Sequence, residues 1–484
     1  MRKFTLLLGV LLAFCLEAAA GNYNVRDFGA RGDGRSIDSE AINKAILKAS
    51  DDGGGTVIVP SGTFNCYSIR LKSHVTLYLE KGAVIRAAAP QGEMGFDDAE
   101  DGPMPQYQDF GHSHFMNSLI WGIGLEDVAI MGEGMIDGSN LSGGFGDTAL
   151  AKGVGNKSIS LKECRHVTIR DITIFKGGHF CLLATGVDDL KIQGITVDTM
   201  RDGLDIDCCR NVRVSDCLIN STFDDGLVLK ASYALERFVD TQDVTITGVN
   251  LSAYATGSVL DATYLPAPKL NPHTGKESST RAGGRIKLGT ESSGGFKNIA
   301  ISSCTFAYCG GILIESMDGG HVENVVITGI TMRDCTDSPL FIRLGERMRS
   351  PEGTPVGHIK GILISDLIAT NSDPRYGMIL SGTPNHRIQD VTLRNLHVHF
   401  AGGVQKEEAL KVVPENEKAY PDPWMFGGTL PSWGMFLRHM DGLRLEGVHL
   451  SVGENDTREA IIKDDIQNVT VNGLTISGKA LEKL

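Results

Sequence analysis

The sequence predicts an all-β chain: a single-domain, right-handed parallel β-helix with an N-terminal capping helix. Three observations predict it. A polar residue followed by an apolar, a variable and a second apolar residue recurs at His74, Asp127, His166, Asp189, Asn211, Asp243, Asn298, Asn324, Asp390 and Asn468. Between His166 and Asn211 the steps are 23 and 22 residues, too short for a strand, a crossover helix and two loops, so each repeat reads as a coil of short strands joined by turns. The 484 residues include 59 glycines and only 16 prolines, with 41% hydrophobic and 22% charged residues, the composition of a turn-rich chain able to bury a core. A solenoid grows by adding coils, so residues 21–484 are read as one domain.

Residues 1–20 read as a signal peptide. Arg2 and Lys3 precede an apolar run from Leu6 to Leu16, and Ala18, Ala19 and Ala20 offer small residues for cleavage before Gly21. The run is too short for a membrane span, and bulky Phe14 before Cys15 argues for cleavage over lipid anchoring. A secreted or periplasmic, monomeric product without membrane attachment is expected. Next, Asp38 and Ser39 can cap a helix with an apolar stripe of Ala41, Ile42, Ala45, Ile46 and Ala49, ending at Gly53, Gly54 and Gly55. Such a helix would close the open end of the stack, where an exposed coil invites edge-to-edge association. Longer steps, as from Asp243 to Asn298, mark insertions, which emerge from a solenoid as loops.

Nine cysteines follow the leader, an odd number with no paired zinc spacing. Cys217, Cys304 and Cys335 stand at one stage of the repeat, which favours stacking in the core over disulfides. A formal charge of −13 with no basic run argues against nucleic acid. No cofactor and no metal is predicted.

The chemistry concentrates at Asp202 and the pair Asp224 and Asp225. Each precedes an alternating stretch, Gly203-Leu204-Asp205-Ile206-Asp207 and Gly226-Leu227-Val228-Leu229-Lys230. One coil apart, they would meet at the inter-strand spacing of roughly 4.8 Å. Carboxylates that close raise one another's pKa values, which suits general acid and base work on a glycosidic bond.

The chain resembles the polygalacturonases of glycoside hydrolase family 28. Val25-Arg26-Asp27-Phe28-Gly29-Ala30 with Gly32-Asp33-Gly34, and Gly132-Glu133-Gly134-Met135-Ile136-Asp137-Gly138, are similar to two structural signatures of that family. Of its catalytic signatures, Met200-Arg201-Asp202-Gly203 keeps the aspartate and glycine of an Asn-Thr-Asp-Gly motif, and Phe223-Asp224-Asp225 keeps both aspartates of a Gln-Asp-Asp motif. Arg285-Ile286-Lys287 spells the family's Arg-Ile-Lys motif, but the following Leu288-Gly289-Thr290-Glu291-Ser292 matches the segment after its Gly-His-Gly motif. Gly284 then stands in the place of the histidine, and Leu313-Ile314-Glu315 in the place of Arg-Ile-Lys. The resemblance implies an inverting hydrolase of pectic poly- or oligosaccharides, with Asp224 as the acid and Asp202 and Asp225 as the base.

Alternation along strands stacks Leu204, Leu227, Ile286, Ile312 and Leu340 as inward neighbours. Outward rows then read Asp205, Val228, Lys287, Leu313, Phe341 and Asp207, Lys230, Gly289, Glu315, Arg343. Lys287, with Arg285, is expected to supply positive charge for an acidic sugar. Asp207 beside Lys230 and Glu315 beside Arg343 read first as structural neutralisation, while Lys230, Asp205, Glu291 and Arg343 are also candidates for substrate contact. Trp424 and Trp433, in the insertion 402–438, are candidate stacking platforms for sugar rings. That insertion and another at 231–283 could close one end of a cleft, which suggests exo action; the missing histidine, arginine and lysine favour a rhamnogalacturonan-like chain over plain polygalacturonate. Two other readings stay open: a β-helix lyase with calcium on Asp202, Asp205, Asp207 and Asp225 and Lys287 or Arg285 as base, and a non-catalytic carbohydrate-binding protein.

Overall fold

The computed structural model describes residues 21–101, 105–107, 112–144, 151–268 and 283–484. The leader expected at 1–20 lies outside them. Successive coils pair in parallel with a constant register: Leu182, Leu204, Leu227, Ile286, Ile312 and Leu340 stand one above another. That is the stacking expected from the alternation. A coil is three short strands, as in Asp202–Asp207, Arg210–Ser215 and Leu218–Ser221, each paired with its counterpart in the next coil. The architecture is a right-handed parallel β-helix. Among the described strands, only the terminal pair Leu474–Ile476 and Lys479–Leu481 is antiparallel. The strands that carry the chemistry are β1 (Phe180–Thr185), β2 (Asp202–Asp207), β3 (Leu227–Ala231), β4 (Ile286–Ser292), β5 (Ile312–Ser316) and β6 (Leu340–Leu344).

The polar residue that marks the repeat has a backbone reason. All ten residues of the motif, from His74 to Asn468, have φ between 49° and 62°. Histidine, asparagine and aspartate tolerate this left-handed conformation far better than β-branched or bulky apolar residues. Their side chains also link coils: the Asn298 amide donates to Asp243 Oδ1 at 2.9 Å and accepts from Asn324 at 3.2 Å. The apolar residues that follow point inward, and one continuous core cluster extends from Val25 to Leu474.

The helix α1 (Ser39–Asp51) closes the N-terminal end, with Ile42, Ala45, Ile46 and Ala49 fully buried against the first coils. Asp38 occupies the cap position, but its side chain does not cap the helix. It accepts instead from the backbone N–H groups of Arg31 and Gly32, at 2.7 and 3.0 Å, because the preceding loop folds back over it. All nine described cysteines are free and buried. Cys217 and Cys304 lie in one core row, separated by Val249. Cys335 does not join that row; two residues past the pairing of Ala307 with Arg333, it lies beside Cys309. No described helix is long and apolar enough to cross a membrane.

The left-handed position gives a stability test. Asn298→Val should destabilise the protein by about 1–2 kcal/mol in denaturant titration. Asn298→Gly, which keeps the turn and loses only the amide ladder, should lose clearly less. Equal losses would show that the ladder, not the backbone, selects the residue.

Candidate active site

Asp202 opens β2, and Asp224 and Asp225 lie just before β3, one coil further on. The coils come together closely there: a Cβ on Gly203 would lie 2.3 Å from the Gly226 carbonyl oxygen, so only glycine permits the approach. The Asp225 N–H donates to Asp224 Oδ1 at 3.1 Å and, at 3.3 Å, to Asp202 Oδ1 across the coils. One carboxylate oxygen from each of the three aspartates lies within 4.8 Å of the other two. Asp202 and Asp225 are buried, at 6% and 5% exposure, while the Asp224 side chain is 20% exposed. Burial, then the charges of Asp224 and Asp205, hold the Asp202 carboxyl well above the usual carboxylate range. The trio therefore holds protons more tightly than free carboxylates do, and Asp202 is the member biased toward the neutral form.

Cations answer the other two carboxylates. Arg201 pairs with Asp224 Oδ2 at 3.1 Å, and the same guanidinium nitrogen lies 3.2 Å from His179 Nε2. Burial, with Arg201 second, pushes the His179 imidazole well below its usual value, so it is neutral and accepts from Arg201. Arg285 Nε donates to Asp225 Oδ1 at 2.5 Å, and its Nη1 pairs with Asp422 at 3.1 Å. Lys287 Nζ is 3.7 Å from both Asp225 and Glu315 and donates to the Tyr420 hydroxyl at 3.2 Å. Burial alone would depress Lys287, but Glu315, Tyr420 and Asp225 outweigh it and raise the ammonium above the ordinary lysine value.

Asp422 and Tyr420 come from the insertion at 402–438. Its Val413, Met425, Phe426 and Leu430 cover an outward apolar row of Leu313, Phe341, Ile379 and Phe436. The insertion is thus docked on the coils that follow the trio. Arg285 and Lys287, expected to meet an acidic sugar, have side chains only 1% exposed, sealed beneath it and engaged with carboxylates.

Two expected charge pairs are corrected. Lys230 stands opposite Asp207 in register, yet its ammonium reaches diagonally back to Asp205 at 3.1 Å, and to Glu291 at 3.3 Å and His112 at 2.6 Å. Asp207 instead accepts from the Ser232 N–H and hydroxyl, at 2.8 and 2.6 Å. Glu315 stands opposite Arg343 but faces Lys287, again diagonally, while Arg343 donates to Ser381 Oγ and to the Gly382 and Glu415 carbonyls. A lysine stem spans two residues along the neighbouring strand, and a short aspartate does not.

Gly284, in place of the family's histidine, has φ of +70°, and a Cβ there would lie 2.2 Å from the Ser252 carbonyl oxygen. No side chain fits at that point. Trp433 is 4% exposed and packs edge-on to Phe400, 6.1 Å between centroids, which leaves no open ring face for a sugar. Trp424 is 48% exposed. Of the calcium set considered above, Asp205 and Asp207 are turned to Lys230 and Ser232 and do not join Asp202 and Asp225. The gathered trio could hold a cation, but Arg201, Arg285 and Lys287 already stand against it. His179, Arg201, Tyr420 and Asp422 were not singled out from the sequence. Only Arg201, beside Asp202 in the Asn-Thr-Asp-Gly position, carried a signal there.

Residues 22–108 match the family described as "Rhamnogalacturonase A/epimerase, pectate lyase-like". Over 419 residues the chain is 25% identical to the "Probable polygalacturonase" of Vitis vinifera, covering 81% of this chain and 77% of that protein. The family 28 exopolygalacturonase of Yersinia enterocolitica superposes with a TM-score of 0.64 at 16% identity, over 94% of this chain and 79% of that one. The exopolygalacturonase of Thermotoga maritima gives 0.60 at 20% identity, over 79% and 87%. At these identities the two solved structures speak to the fold.

Glu315 supplies a pH test. Burial, against the opposing charges of Lys287 and Arg285, lifts its carboxyl to about 7. A folded value above the unfolded one means that stability is lost as pH rises through the interval between them, about 4.5 to 7. Glu315→Gln abolishes that loss. Relative to the parent protein, the variant should gain up to about 3 kcal/mol between pH 4.5 and pH 8 in denaturant titrations; a pH-independent difference would contradict this.

Proposed function

The chain is a glycoside hydrolase of the polygalacturonase type, related to glycoside hydrolase family 28, and on that premise we propose that it cleaves an α-linked, uronic-acid-containing pectic poly- or oligosaccharide by an inverting aspartate mechanism, at or near a chain end. The observation that carries the proposal is the convergence of Asp202, Asp224 and Asp225 within 4.8 Å. Asp224, the most open of the three, gives its proton to the leaving glycosidic oxygen. Asp202 and Asp225 take a proton from the attacking water, with Arg285 and Lys287 stabilising the charge on Asp225. The three titrate as one unit, so apparent pKa values belong to the set.

End-directed action is supported by the docked insertion, which covers Leu313, Phe341 and the coils beyond, so a long chain cannot run across them. A rhamnogalacturonan-like substrate is favoured over plain polygalacturonate because Gly284, Leu313 and Glu315 replace the family's histidine, arginine and lysine. Residues 1–20 would direct the protein to the periplasm or outside the cell, where we take it to work as a monomer.

Incubation with a panel of pectic oligosaccharides should release saturated products one or two units from an end. Proton NMR during the first turnovers should show the opposite anomer. The trio is closer than the roughly 6.5–9.5 Å of most inverting pairs, so a retained anomer would replace inversion by a double displacement. An unsaturated, ultraviolet-absorbing product would replace hydrolysis by elimination. Asp202→Asn, Asp224→Asn and Asp225→Asn should each lower kcat by about 10²–10⁴ with unchanged circular dichroism; full activity in any of them would remove that residue from the mechanism.

A further inference from the structure

We propose that Arg201 reads the carboxylate of the sugar at the cleavage point, and that by exchanging Asp224 for that carboxylate it arms Asp224 as the acid. The inference rests on the hydrolase reading above and goes beyond it by naming the group that makes the enzyme selective for acidic sugars.

Three observations lead to Arg201. An acidic substrate needs a cation at the site, and Arg285 and Lys287 are poorly placed for it: each side chain is 1% exposed and paired with Asp225, Arg285 also with Asp422 and Lys287 with Glu315 and Tyr420. Among the described cations that pair with the trio, the Arg201 side chain is the most open, at 10% exposure, and it faces Asp224, the most open carboxylate. Its position is also anomalous, because a guanidinium stands where the resembled motif has a threonine, while no side chain fits at Gly284, the place of the missing histidine. His179, one coil earlier and neutral, accepts from the guanidinium and steadies it from behind without adding charge.

The arrangement otherwise contains a contradiction. A general acid must carry a proton, yet an ion pair with Arg201 favours Asp224 as the carboxylate. Substrate resolves it. When the uronate carboxylate enters, it takes the guanidinium fork in the geometry such pairs prefer, and Asp224 loses its cation in a site that is also losing water. In the step proposed, a proton shared within the converged trio moves from Asp202 to Asp224, directly or through one water: the O–H bond of Asp202 breaks and an O–H bond on Asp224 forms. Asp202 is left as the carboxylate that the base role requires. No redox change and no further reactant is involved. A neutral sugar makes no such exchange, so Asp224 stays paired and the acid stays unloaded.

The experiment compares an active uronate oligosaccharide with the same oligosaccharide after carboxyl reduction to the neutral sugar. The full-length parent protein should favour the acidic form by about tenfold to a hundredfold in kcat/KM, the range of a lost charged hydrogen bond, with part of the loss in kcat because the acid is not armed. Arg201→Gln should lose activity on the acidic form and fall to near-equal rates on the two. Arg201→Lys, which keeps the ion pair and the fold but not the fork, should retain part of the preference. An Arg201→Gln or Arg201→Lys enzyme slowed equally on both substrates would reduce Arg201 to a structural partner of Asp224 and overturn the inference. So would a parent protein with no preference for the acidic form, a measurement that needs no variant. A parent protein that cleaves neither substrate, nor any other pectic oligosaccharide, overturns the hydrolase reading itself and is a separate result.

Discussion

Backbone hydrogen bonds between parallel coils hold each residue above its counterpart, one strand spacing away, and the core and the meeting of the aspartates are consequences of that stacking. It turns a repeat of 22 or 23 residues into columns. An inward column becomes core, such as Leu204, Leu227, Ile286, Ile312 and Leu340. An outward column becomes a line of chemistry, and where it carries aspartate at consecutive coils, carboxylates are pressed together. The coil-to-coil approach at Gly203 and Gly226 brings them closer still.

Pressing acids together in a buried place is unfavourable unless charge is supplied or a proton is kept. Both devices are present. Burial and its acidic neighbours bias Asp202 toward the protonated form, while Arg201 pairs with Asp224, and Arg285 and Lys287 with Asp225. The cations on Asp225 are in turn shared with Asp422 and Glu315, so the network extends into the insertion that roofs the following coils. Charge balance and loop docking are therefore coupled, since the loop packed on the following coils also contributes a buried carboxylate to the network. Burial dominates at Glu315 and raises it, whereas several surrounding acids dominate at Lys287 and raise that too; the pair is asymmetric because the lysine has more partners.

The diagonal ion pairs show why register alone does not predict contacts. Register placed Lys230 opposite Asp207 and Arg343 opposite Glu315, and both alignments hold for the backbone. The side chains made other choices: Lys230 took Asp205 and Glu291, and Lys287 took Glu315. Asp205 and Asp207 are equally buried, and Lys230 takes the acid that Ser232 does not already serve. Trp433 illustrates the same point, because the turn that looked like a display site is packed into the core.

What the sequence determined by itself was chiefly periodic: the coils, their register, the inward rows, the recurring polar residue and the meeting of Asp202, Asp224 and Asp225, with the capping helix legible from its own apolar stripe. Those follow from local rules repeated at a fixed interval, so a single chain displays them many times over. Only the tertiary structure decided which cation serves which acid, that Asp422 and Tyr420 lie 137 and 133 residues away in sequence from their partners, and that the Arg285 and Lys287 side chains are 1% exposed while that of Arg201 keeps 10%. An insertion occurs once, obeys no period, and settles where burial and charge are satisfied together, which no repeat in the sequence encodes.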